Sequence, residues 1–133
     1  SIAASMMVMS SVEDIALVKQ VLYVTRIEPD YRLGYVSLAR SLGELGNFEE
    51  AITYYKTALY IMDNEAELPF MCQPDDAYRG WNYLGIGICL CELGFKQEGK
   101  KFLIYSKGIA PPKFTAYLLF GFSSWDNLME SYR

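Results

Sequence analysis

Apolar residues recur at helical spacing over two neighbouring stretches of the chain. Tyr35, Leu38, Ala39 and Leu42 fall at steps of three and one, which places them on one stripe of a helix. Leu45-Gly46-Asn47 interrupts the pattern, because a glycine just past a helix, followed by Asn, is a stop and a turn. A second stripe begins at once with Phe48, Ala51, Ile52, Tyr55, Ala58, Leu59 and Met62. Glu49 and Glu50 fall in its first turn, where the helix dipole favours acids. The pattern predicts two amphipathic helices in an antiparallel hairpin, neither of which buries its stripe alone.

The same layout returns downstream. Trp81, Leu84, Gly85 and Ile88 form a stripe, Glu92-Leu93-Gly94 closes that helix, and Phe95, Gly99, Phe102, Ser106 and Ile109 carry the next. Pro111 and Pro112 end it. Taking Gly94 as the reference gives a second register, with Tyr83, Ile86, Gly87 and Leu90 on the stripe. This helix is apolar nearly all round, so both registers stay open. Glu44-Leu45-Gly46 and Glu92-Leu93-Gly94 repeat after 48 residues, and self-similarity of this kind marks a stacked repeat array.

The stretch Leu42 to Asp63, LGELGNFEEAITYYKTALYIMD, resembles the tetratricopeptide repeat: Gly46 stands at the turn, Phe48 after it, Ala51 and Ala58 at the small positions, and Tyr55 at the large knob between them. Trp81 to Gly85, WNYLG, resembles the opening of that repeat. The second repeat departs from the pattern, with Gly99 and Ser106 at the small positions and a spacing of 48 rather than about 34 residues. The surplus falls in DNEAELPFMCQPDDA, where Pro69 and Pro74 imply a bent connection. The resemblance implies an all-α fold of antiparallel helix hairpins stacked as a short superhelical solenoid of about 6–7 helices.

The expected organisation is a single domain over residues 1–133. Residues 1–31 form a degenerate repeat or its second helix, 32–63 a repeat, 64–77 an insertion, 78–111 a repeat and 112–133 terminal helices. Ser10 and Glu13 make a capping-box pattern ahead of a helix over Val12 to Ile27, closed by Glu28-Pro29-Asp30. Lys113 to Phe122 is expected to form one helix and Ser123-Ser124 to cap a last one, with Ser123 and Asp126 at box spacing. A chain that opens at Ser1 is expected to be a segment of something longer.

Composition narrows the chemistry. Twelve basic and 16 acidic residues give a net charge of −4, which argues against binding a phosphate backbone. The chain has no histidine, so imidazole-based triads and metal sites are excluded. Its three cysteines, Cys72, Cys89 and Cys91, do not make a disulfide framework and suit a reducing, intracellular compartment, above all the cytoplasm. On a helix Cys89 and Cys91 point about 200° apart and cannot share a metal ion. Glu49-Glu50 and Asp75-Asp76 sit at predicted helix starts, where solvated acids belong, and Ser10 and Ser124 have no base beside them. No apolar run reaches the roughly 18 residues of a membrane span. Met6, Met7 and Met9 suit a core or an edge. No catalytic residue, metal or cofactor is expected, and the chain is not expected to be an enzyme.

Hydrophobic residues make up 52% and aromatics 15%, more than so small a chain can bury, which leaves apolar surface for a partner or a second copy. The resemblance implies a concave face lined by the first helix of each repeat. On this chain that face carries Leu33, Val36, Arg40, Gly43 and Glu44, then, in the register set by Gly94, Trp81, Leu84, Ile88, Cys91 and Glu92. The residues expected to bind a partner are Leu33, Val36, Arg40, Glu44, Trp81, Leu84, Ile88 and Glu92. An alternative is that Leu84 and Ile88 pack against the inserted segment or a terminal helix. One use of the family, gripping acidic chaperone tails, asks for a Lys and an Asn where Val36 and Arg40 stand, so an apolar peptide or helix fits better. The expected function is a non-catalytic adaptor or scaffold that binds a protein or peptide. The alternative is self-association as a homodimer, or an internal segment of a larger protein.

Overall fold

The computed structural model describes residues 32–63 and 76–133. They belong to two compact units that divide between Cys72 and Gln73. The first holds α1 (Arg32–Glu44) and α2 (Phe48–Asp63). The second holds α3 (Asp76–Glu92), α4 (Lys96–Ile109), a 3-10 helix (Ala116–Phe120) and α5 (Trp125–Ser131). The described residues are all-helical, with no strand among them. The expected helix over Val12 to Ile27 with its Ser10 cap, Met6, Met7 and Met9, and the connection carrying Cys72 lie outside the described residues. The expected insertion over 64–77 runs too far, since α3 begins at Asp76.

Each hairpin turns on a glycine with left-handed backbone. Gly46 has φ +83° and Gly94 φ +97°. The bonds around them are those of a Schellman cap. Gly46 N–H donates to Gly43 O at 3.0 Å and Asn47 N–H to Leu42 O at 2.8 Å. Gly94 N–H donates to Cys91 O at 3.1 Å and Phe95 N–H to Leu90 O at 2.9 Å. Carbonyls that would end each helix unpaired are thereby satisfied, and the chain reverses in three residues.

The likeness between the hairpins extends from the turns to the packing. Tyr35 stacks on Tyr54 with ring centres 6.1 Å apart and planes at 17°. Forty-eight residues later Tyr83 stacks on Phe102 at 6.2 Å and 26°. Ala51, Tyr55 and Ala58 are buried in the first hairpin, and their counterparts Gly99, Leu103 and Ser106 are buried in the second. One large side chain flanked by two small ones on the second helix is the packing rule of both hairpins.

The second hairpin closes more tightly. A methyl group added at Gly99 would lie 2.5 Å from Cys91 Sγ and 2.7 Å from Gly87 O, so the two backbones approach at a pair of glycines. Ser106 Oγ–H donates to Gly80 O at 2.6 Å, which satisfies a fully buried hydroxyl. Tyr83 and Gly87 therefore face α4, which selects the register set by Gly94 and rejects the one set by Trp81, although Cys91, off the stripe in that register, also reaches the seam beside Gly99.

α3 is covered on a second side as well. Leu84 and Ile88 belong to a core that Cys91 and Leu103 join from the α4 seam and Leu128 and Tyr132 from the C-terminal segment, and Phe114, Tyr117, Phe120, Phe122 and Trp125 pack against it. The expected single helix over Lys113 to Phe122 does not form. Residues 112–113 turn, and a five-residue 3-10 helix follows that ends at Gly121, φ +87°. Two prolines before the segment and a left-handed glycine within it leave no room for a longer α-helix. α5 is capped by Ser124, whose Oγ accepts from Asn127 N–H at 3.0 Å, while Asn127 Oδ1 accepts from Ser123 N–H at 3.3 Å. The cap thus sits one residue later than expected, on Ser124 with Asn127 rather than Ser123 with Asp126.

Candidate docking site

Three of the residues expected to bind a partner are interior. Val36 and Leu84 are fully buried and Ile88 nearly so. For Leu84 and Ile88 the physical reason is plain: the chain's own C-terminal segment lies on them, which is the alternative placement weighed from the sequence. Glu92 stays exposed, and its Oε1 accepts a 2.6 Å hydrogen bond from the Tyr132 hydroxyl. Burial and the Glu92 carboxylate both push the Tyr132 phenol well above its ordinary value, so it holds its proton and remains a donor.

In the first unit Arg40 is half-buried and Glu44 exposed, joined by a 3.6 Å contact one helical turn apart. A pair this open to solvent contributes a few tenths of a kcal/mol, roughly 0.3–0.5 for this spacing, so both charges stay available. Leu33 lies in the first turn of α1, and its side chain falls outside the described residues.

Trp81 is placed differently from the others. It is half-buried and stacks on Tyr78 at 6.3 Å and 12°. With Tyr78 it forms one wall of an open cleft of about 490 Å³, and Phe114, Leu118 and Leu119 form the other. That volume lies within the roughly 300–1,000 Å³ typical of ligand sites. The 3-10 helix buries none of its residues fully, and Leu118 and Leu119 are 52% and 46% exposed. Two adjacent leucines held at a cleft edge by a short helix leave apolar surface exposed to water. The indole Nε1–H of Trp81 is shielded from solvent and has no acceptor, a cost of about 1–3 kcal/mol for a buried donor.

The site has little reactive chemistry. Among the described lining residues, only Lys113 and Thr115 carry an aliphatic amine or hydroxyl, and neither is paired with a base. Cys89 and Cys91 lie in the interior of the unit. Burial, with a smaller push from Glu92, drives the Cys89 thiol up to about 12, and burial raises Cys91 as well. Both are thiols rather than nucleophilic thiolates at neutral pH. Among the described residues no His, Cys, Asp and Glu side chains converge where they could hold a metal ion, and no helix is long and apolar enough to cross a membrane.

Sequence reasoning singled out Trp81 but missed Tyr78, Phe114, Leu118 and Leu119. The signal that could have found them is Gly121: a left-handed stop there shortens the helix and lifts Leu118-Leu119 out of a buried stripe. Compared with family models, curated proteins and solved structures, the chain matches none of them.

Proposed function

We propose that this chain is a non-catalytic interaction module of the tetratricopeptide type, an intracellular adaptor or scaffold segment that docks an apolar segment of a partner protein. The observation that carries the proposal is the cleft between Tyr78–Trp81 and Leu118–Leu119, with exposed leucines on one side and two stacked aromatic rings on the other. The positional match between the two hairpins supports the repeat assignment and, with it, the stacked arrangement the sequence leads us to expect. The partner enters along α3 ahead of the chain's own C-terminal segment, because Phe114 both lines the cleft and packs on the core that the segment makes with α3. Arg40 and Glu44 on α1 remain candidates for a second contact.

The test is affinity capture from cells that express the protein, with wild type beside a Leu118→Asp, Leu119→Asp variant. Circular dichroism establishes that both fold. A partner held by wild type and lost by the folded variant supports the proposal, and equal retention moves the site elsewhere.

A second proposal, self-association, has its own support in α4, where Ile104 and Tyr105 are 60% and 54% exposed on adjacent positions. Sedimentation that shifts with concentration, and no longer does so after Ile104→Glu, would favour it.

A further inference from the structure

We infer that the partner segment docked in this cleft is acidic, with its apolar side chains between Trp81 and the Leu118–Leu119 edge and a carboxylate on Lys113. The inference rests on the docking proposal above and adds the chemistry of the occupant.

Among the described residues lining the cleft, Lys113 is the only charged side chain, and none of the others is a carboxylate. It is exposed, and among the described residues no acid lies within ion-pair distance of it. Lys107, by contrast, already sits over the Trp125 ring at 4.8 Å. The cleft therefore offers apolar walls and one uncommitted cation.

The wider charge distribution does not oppose an anion here. The unit that begins at Gln73 carries seven basic and six acidic residues, whereas the residues up to Cys72 carry five basic and ten acidic. The net charge of −4 thus arises in the first unit, and an acidic segment approaching Lys113 meets a locally balanced surface. A basic segment would gain nothing at this rim and would bring a like charge against Lys113.

The chain's own packing indicates the apolar half of the occupant. Phe114 and Ala116 line the cleft and also pack on the core formed by Leu84, Ile88 and Leu128, so the open part of the wall continues an interface already filled with aromatic and aliphatic side chains. A segment carrying Leu, Phe or Trp beside Asp or Glu completes both the wall and the rim.

The experiment pans a random twelve-residue phage-displayed peptide library on the full chain, with Lys113→Glu and Leu118→Asp, Leu119→Asp variants panned in parallel. The expected result is enrichment by wild type of peptides with Asp or Glu within a few positions of Leu, Phe or Trp. Lys113→Glu should exchange that preference for Lys or Arg while keeping the apolar residues. The leucine variant should enrich nothing above background. For a synthetic peptide from the wild-type pool, acid-to-amide replacement should weaken binding about two- to five-fold, the scale of an exposed ion pair. The same replacement should have no effect against Lys113→Ala. Apolar peptides with no acidic bias, unchanged by Lys113→Glu, would overturn the acidic assignment and leave the docking site standing. Enrichment that survives in the leucine variant would overturn the docking site itself.

Discussion

The Tyr132 hydroxyl donates to Glu92 Oε1 at 2.6 Å, which ties the last turn of the chain to the last turn of α3 across 40 residues. Tyr132 is buried against Leu84, Ile88 and Leu128, so this bond lies at the edge of the core that seats the C-terminal segment. Tyr132→Phe keeps the ring and removes only the bond, at an expected cost of about 1 kcal/mol in urea unfolding. Tyr132→Ala also removes the ring and should cost about 3 kcal/mol or more. If the two variants were equally destabilised, the ring would contribute nothing, contrary to the packing described.

The close approach of α3 and α4 predicts opposite signs for one chemical change. Gly99→Ala adds a methyl group 2.5 Å from Cys91 Sγ, and overpacking of this kind costs about 1–3 kcal/mol, more than the roughly 1 kcal/mol gained in helix propensity. Gly108→Ala, in the same helix, meets nothing within 4 Å and should stabilise by about 0.5 kcal/mol. Thermal unfolding of the two variants beside wild type decides it, and the same sign for both would contradict the packing.

Both turn glycines should resist substitution alike. Gly46→Ala and Gly94→Ala meet no atom within 4 Å, so their cost is conformational only, about 1–2 kcal/mol each for a left-handed residue with a side chain. Asn at either position should cost less than Ala. An Ala variant as stable as wild type would mean that the turn rearranges without loss.

The hairpin turns and their seams were legible in the sequence because glycine punctuation and apolar stripes record them directly. Gly46, Ala51, Tyr55 and Ala58 each occupy the place the pattern assigns. The register of α3 was not legible, since this helix is covered on more than one side: Tyr83 and Gly87 face α4 while Leu84 and Ile88 face the C-terminal segment. Periodicity reports that a position is apolar, not which neighbour makes it so. The same limit hid most of the candidate site. Leu118 and Leu119 read as interior residues of a helix, and only the prolines and Gly121 around them hint that the helix is too short to bury them.

Stability should fall at alkaline pH through the buried thiols. The folded chain holds the Cys89 proton up to about 12, against an ordinary value of 9.0, so the folded state binds more protons between these limits. The contribution is fully present below pH 9 and is lost as pH rises toward 12, at up to about 1.4 kcal/mol per pH unit. Tyr132, also raised, adds its own loss above its ordinary value of 10.0. Urea midpoints should be flat from pH 7 to 8.5 and decline above 9, with a shallower decline between 9 and 10 in Cys89→Ala. A midpoint rising over that range would contradict the buried, protonated thiol.

The chain has two tryptophans, Trp81 in the cleft wall and Trp125 beneath Lys107, and so two indole N–H signals. Nitrogen–proton correlation spectra of the full chain, recorded as a captured partner peptide is added, report on both at once, with Trp125→Phe fixing the assignment. Docking in the cleft predicts that the Trp81 signal shifts as the peptide packs on the exposed part of the indole, while the Trp125 signal stays in place. A peptide that binds and shifts Trp125 alone, or neither, would contradict the cleft as the docking site.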